Sequence, residues 1–136
     1  MYGGLGKLFA CHHLDPAFWA LKLDQAERFQ VEASSYGTNE EVCPAASLIY
    51  YHFPARAGMP PVRITWYEGG LMPPRPAELE PGRSMGDNGI LFLGTQGAIL
   101  GGGWGRSPRI IPENKMREYK RPPKTLPRVA GHHRNW

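Results

Sequence analysis

The apolar positions of the chain follow two periods. Leu14, Phe18 and Leu21 recur at three- and four-residue spacing, which places them on one face of a helix. A bulky apolar face of this kind is read as core. Asp15 is placed to cap that helix, and Pro16 suits its first turn. From Arg28 to Ser35 the period changes to two. Phe29, Val31 and Ala33 alternate with Gln30, Glu32 and Ser34, and this predicts a half-buried strand. Tyr36 to Asn39 reads as a turn. Ala46 to Phe53 is rich in β-branched and aromatic residues and reads as a second strand. After a turn-like connection over Pro54 to Pro61, Val62, Ile64 and Trp66 alternate with Arg63, Thr65 and Tyr67. They predict a third strand that stops at Gly69-Gly70.

Residues 71–88 break the pattern. Pro73, Pro74, Pro76 and Pro81 deny the segment helix and ladder hydrogen bonds. A connection this long in a compact domain is expected to be functional or mobile. Ile90 to Leu93 and Ala98 to Leu100 then flank Thr95-Gln96-Gly97 and predict a hairpin. Arg109 to Ile111 suits an edge strand, Glu113 to Tyr119 one or two helical turns, and Arg121 to Pro127 an extended segment. The chain closes on His132-His133-Arg134-Asn135-Trp136, and a terminal Trp reads as a cut through an element. No internal repeat is present. One helix followed by strands with long loops predicts an α+β fold. It is read as a single domain over 1–136, with an open, mostly antiparallel sheet and helix on one face. Nothing alternates as βαβ, so no parallel nucleotide-binding sheet is expected.

Composition changes this picture little. A chain of 136 residues suits one domain and can bury a core. Its 17 glycines and 14 prolines predict many turns between short elements. The net charge of +4 is concentrated late: residues 106–128 carry eight Lys or Arg against two Glu. That stretch is either a solvated, proline-bearing surface or a contact for nucleic acid or another polyanion. Two cysteines, Cys11 and Cys43, do not make a disulfide framework. No apolar run has the length of a membrane span, and the N-terminal residues lack the pattern of a secretory signal. A cytoplasmic location is therefore expected.

Four groups of residues could carry chemistry. In Cys11-His12-His13 with Asp15, a His and a carboxylate three residues apart could move a proton to or from a hydroxyl, or Asp15 could merely cap the helix. Cys11, His12, His13, Cys43, His52, His132 and His133 are possible metal ligands, but no pair has ligand spacing, and no metal is expected. Gly3-Gly4-Leu5-Gly6 and Gly101-Gly102-Gly103-Trp104-Gly105 lack the strand and helix that frame a phosphate loop, and both are read as turns. Trp66, Tyr67 and Glu68, at the mouth of the proline-rich loop, could stack on a sugar ring and bond its hydroxyls, or could be ordinary strand packing.

The run Ala10-Cys11-His12-His13-Leu14-Asp15-Pro16-Ala17-Phe18-Trp19-Ala20-Leu21 resembles the helix that opens the C-terminal domain of Gfo/Idh/MocA oxidoreductases, the relatives of glucose–fructose oxidoreductase and inositol dehydrogenase. Further stretches resemble a bacterial subgroup of that family. They are Thr65-Trp66-Tyr67-Glu68-Gly69-Gly70 with Pro73-Pro74-Arg75-Pro76, then Gly86-Asp87-Asn88-Gly89-Ile90-Leu91-Phe92-Leu93-Gly94, and the closing Pro122-Pro123-Lys124-Thr125 and His132-His133-Arg134-Asn135-Trp136. The resemblance implies a domain that binds a sugar or cyclitol against a separate Rossmann half, which holds NAD or NADP. A hydride passes between substrate and nicotinamide. His12 matches the family's acid/base, with Trp66, Tyr67 and Glu68 on the substrate side. The family's Asp four residues before that His is Leu8 here, and its Glu-Lys-Pro motif is absent. The expectation is a truncated domain, inactive alone and binding no cofactor by itself. It would associate through an open sheet face or with a Rossmann partner chain, and it needs no nucleic acid or membrane. The alternative is a small basic module that holds a polyanion through 106–128.

Overall fold

The computed structural model describes residues 6–125 and 127–135, with side chains from Ala10 onward except those of His132 and Asn135. Gly3, Gly4 and Leu5 of the first glycine stretch, Leu126 and the closing Trp136 lie outside the described residues, and so does the side chain of Leu8.

Helix α1 spans Gly6–Ala20 and so begins well before Asp15. Asp15 is therefore not its N-cap, and Pro16 lies inside the helix rather than in its first turn. Proline inside a helix costs on the order of 3 kcal/mol, so something must outweigh it. The compensation is burial. Ala10, His13, Leu14, Ala17 and Leu21 recur at helical spacing and turn inward, with Ala17 only 1% exposed. The predicted face was shifted by part of a turn, for Leu14 and Leu21 pack inward while Phe18 and Trp19 are 43% and 83% exposed. Small residues on the inner face allow close approach, and this favours Ala10 and Ala17 over Phe18 there.

The helix ends on Lys22 in the left-handed conformation, followed by a short 3-10 turn over Leu23–Gln25. Arg56, itself buried, closes this end. Its guanidinium donates to the carbonyls of Leu21 and Lys22, and to those of Pro54 and Pro60 in the connection between the second and third strands. Carbonyls at a helix C-terminus lack intrahelical partners. Arg56 satisfies two here and fixes the strand connection with the same group.

The fold is α+β with antiparallel sheets. The strands form two three-stranded sheets. Strands β1 (Gln30–Tyr36), β2 (Ala46–Phe53) and β3 (Val62–Glu68) make one, in sequence order. Strands β4 (Ile90–Leu93), β5 (Ala98–Gly101) and β6 (Arg109–Ile111) make the other. The register Ile49↔Trp66 and Tyr51↔Ile64 aligns the inner residues of β2 and β3. Strand β1 departs from expectation, because all seven of its residues are exposed. It is an edge strand, paired only with β2 and anchored at its start by Phe29 stacked on Phe53, with ring centroids 4.8 Å apart. Ala17, Leu23, Phe53, Ile64, Trp66 and Ile90 form one cluster, so α1 and both sheets share a core.

The proline-rich segment 71–88 is tied down from Arg75 to Arg83. Leu79 joins Ala98, Leu100 and Ile111 in a second apolar cluster. Arg75 donates to the carbonyls of Leu79, Glu80 and Arg83. Glu80 receives both terminal nitrogens of Arg109, at 3.4 and 3.2 Å, and the backbone N–H of Glu113. Glu113 opens helix α2 (Glu113–Glu118) and also pairs with Arg109. The Arg109 hydrogen bonds, with help from the backbone N–H groups of Glu80 and Glu113, hold the Glu80 carboxyl down at about 2 against an ordinary 4.5. A depressed carboxyl stabilises the fold above its unfolded value and ceases to do so as pH falls through its folded value. Thermal melts should therefore show Glu80→Gln less stable than the parent at neutral pH, with the gap closing between about pH 4.5 and about pH 2. A gap of constant size down to the acid limit would contradict this assignment.

Candidate functional site

The outward side of α1 carries Cys11, His12 and Asp15, all exposed. His12 and Asp15 are three residues apart, so they stand on one side of the helix. With Cys11, Pro16 and Trp104 they line a pocket of about 350 Å³. Because the helix begins at Gly6, Asp15 has no capping duty, and its carboxylate is available to this pocket. The structure thus brings together the His and carboxylate that spacing had suggested.

Trp104 forms the opposite wall, and sequence reasoning passed it over. It lies in the turn between β5 and β6, and its ring meets His12 edge-on with centroids 6.4 Å apart. The glycines around it are set by contact with α1 and its surroundings. A Cβ on Gly103 would stand 2.6 Å from Asn88 Oδ1, and one on Gly105 2.8 Å from Pro16 Cγ. Gly105 also has φ of +68°. The 101–105 run is thus a close-packed turn rather than a phosphate cradle, and it delivers Trp104 to the pocket. The one available signal was a large aromatic flanked by glycines, Gly103-Trp104-Gly105, in a position with no apolar period.

His13, next in sequence, has the opposite environment. It is 3% exposed and meets Trp66 edge-on at 6.0 Å. Trp66 is buried as well, and its Nε1–H donates to Glu68, which also accepts from the Ser47 hydroxyl at 3.2 Å. Trp66 and Glu68 therefore serve the packing between β3, β2 and α1. Tyr67 points to the other side of the sheet, as strand alternation requires. It borders a larger apolar cleft of about 1190 Å³ between β3 and β4, together with Thr65, Pro73, Ile90 and Phe92 and with Ala17 and Ala20 of α1. The three substrate-side candidates do not converge on one site, and none lines the His12 pocket.

The basic stretch 106–128 is also divided. Arg109 and Arg117 pair with Glu80 or Glu113, Lys115 donates to the carbonyl of Gln96, and Arg106 lies over the Trp104 ring. Lys120, Arg121, Lys124 and Arg128 are exposed on a segment without regular structure. Among the described residues, no group of three or more His, Cys, Asp or Glu is placed to hold a metal ion, and Cys11 and Cys43 are both free thiols. No described helix is long and apolar enough to cross a membrane.

In comparisons with known proteins, neither a model of a protein family nor a curated protein matches this chain.

The geometry of the Gly turn is open to test. Gly105→Ala places a methyl group against Pro16 at a positive φ, and should cost about 1–2 kcal/mol. Chemical denaturation would measure that loss. The Trp104 indole resonance should shift in the same variant. Full stability with an unmoved indole would mean that the turn is not packed as described.

Proposed function

We propose that this chain is the substrate-side half of a Gfo/Idh/MocA-like oxidoreductase acting on a sugar or cyclitol, with His12 as the group that accepts or returns the hydroxyl proton. The observation that carries the reading is the outer face of α1. It presents His12 and Asp15 to a pocket walled by Trp104, within the run that resembles the family's opening helix. Phe18 and Trp19 are exposed on the same helix, and adjacent exposed aromatics suit a surface that another domain covers. A nucleotide-binding half, on this or a second polypeptide, would occupy that place.

The described residues do not fit a dinucleotide. Both sheets are antiparallel, and the 101–105 glycines are packed against the α1 region rather than opening a helix. In this reading NAD or NADP is held by the other half. Within this chain, Asp15 accepts hydrogen bonds from substrate hydroxyls on the same side of the helix as His12. Trp104 offers a flat apolar face for a sugar ring. In this reading the chain is a cytoplasmic domain that works in an assembly. Polyanion binding through 106–128 is the weaker reading, because Arg109 and Arg117 are ion-paired with Glu80 and Glu113.

Saturation-transfer NMR with a panel of neutral and acidic monosaccharides and myo-inositol tests the reading. At least one should bind with mM affinity, and both His12→Ala and Trp104→Ala should weaken it about tenfold. NADH and NADPH should leave the same sample unchanged in fluorescence. Binding of either nucleotide by this chain alone, or failure of every sugar, would refute the proposal.

A further inference from the structure

Trp104 is held in a backbone conformation that bulky residues avoid. Its φ and ψ are 58° and 24°, in the left-handed region. Gly105 and Ser107 also have positive φ, at 68° and 46°, so the turn twists repeatedly within four residues. A bulky side chain in this region costs energy, and it persists only where the surroundings enforce it. Here the enforcement comes from Gly103 and Gly105, packed against Asn88 and Pro16. The outcome is an indole that stays 47% exposed at the wall of the His12 pocket instead of folding into the core.

Arg106 does not line the pocket itself but stands next to it, against Trp104. Its guanidinium lies 4.6 Å from the Trp104 ring centroid, a cation–π contact. The other arginines of this part of the fold have spent their charge. Arg83, Arg109 and Arg117 each face Glu80 or Glu113, and Arg75 is consumed by backbone carbonyls. Among the described residues no carboxylate lies within ion-pair range of Arg106, and stacking leaves the N–H groups at the edge of its plane able to donate. Such a fork matches a carboxylate or phosphate oxygen pair.

We infer that the ligand of the His12 pocket is an anionic monosaccharide, its ring against Trp104 and its carboxylate or phosphate on Arg106. This rests on the sugar reading above and narrows it. The pocket then has three functions on separate groups: Trp104 holds the ring face, Arg106 holds the anion, and His12 with Asp15 faces a hydroxyl. Asp15 on the helix wall disfavours an anion close to itself, which orients the charged end of the sugar toward the loop.

Calorimetric titration of the 136-residue chain at low salt, with glucuronate, glucose 6-phosphate and glucose as the probes, tests this. At least one anionic sugar should bind about tenfold or more tightly than glucose. Preference for glucuronate identifies a carboxylate as the recognised group, and preference for the phosphate ester identifies phosphate. Arg106→Gln should bring the preferred sugar down to the level of glucose, whereas Arg106→Lys, which keeps the charge but not the fork, should retain part of the preference. Arg106 is exposed, and a thermal melt of each variant confirms that the fold is retained. Equal binding of glucose and both anions would overturn this inference and leave the sugar reading standing. So would an anion preference that survives Arg106→Gln. Failure of all three sugars to bind would overturn both.

Discussion

The packing of α1 through its inner face, where Ala10 and Ala17 allow close approach, is the constraint on which the rest of the molecule depends. Ala17 sits at the centre of the core cluster, with Trp66 and Ile64 from one sheet and Ile90 from the other. The two sheets share no ladder, so their joint core is built around this helix. The helix also tolerates Pro16, whose cost is offset by the apolar area that its neighbours bury. Close approach then dictates the loop sequence. The β5–β6 turn comes so near α1 and Asn88 that Gly103 and Gly105 leave no space for a Cβ, and Trp104 between them is forced outward. Core packing thus shapes the pocket.

Much of the fold was legible in the sequence because its strands are short and strongly patterned. Six strands lie where period two, β-branched runs and turn residues put them, and Gly69-Gly70 ends β3 as read. The failures have physical causes. Asp15-Pro16 is a convincing local start signal, but local preference is worth about 1 kcal/mol, and burial of residues on both sides of it is worth more. The alternation in β1 promised a buried face, but alternation only says that one face differs from the other. Whether a layer covers it depends on partners far along the chain. The length and proline count of 71–88 suggested a functional or mobile connection. They could not show that Arg75, Leu79 and Glu80 anchor the segment to β5, β6 and α2.

The site was half legible. The spacing of His12 and Asp15 left proton transfer and helix capping both open, and the structure rules out the cap and puts both residues on one pocket. Trp66 and Glu68 were plausible as sugar contacts, yet their hydrogen bond and the burial of Trp66 make them part of the scaffold. Trp104 offered only its flanking glycines as a signal and Arg106 only its place in the basic stretch, since a strained turn residue has no period and its position is set by what the neighbouring glycines touch. Adjacent residues on one helix also divide by environment: His13 is locked beneath Trp66, while His12, one position earlier, faces the pocket.

The most direct test of this account is a two-dimensional NMR titration that follows the Trp indole N–H signals as an acidic monosaccharide is added. Trp104 should move, together with the amides of residues 11–16 and 103–106, while the buried Trp66 indole stays in place. Shifts centred on Tyr67 and the cleft between β3 and β4, with Trp104 unmoved, would contradict it and assign the site to that cleft.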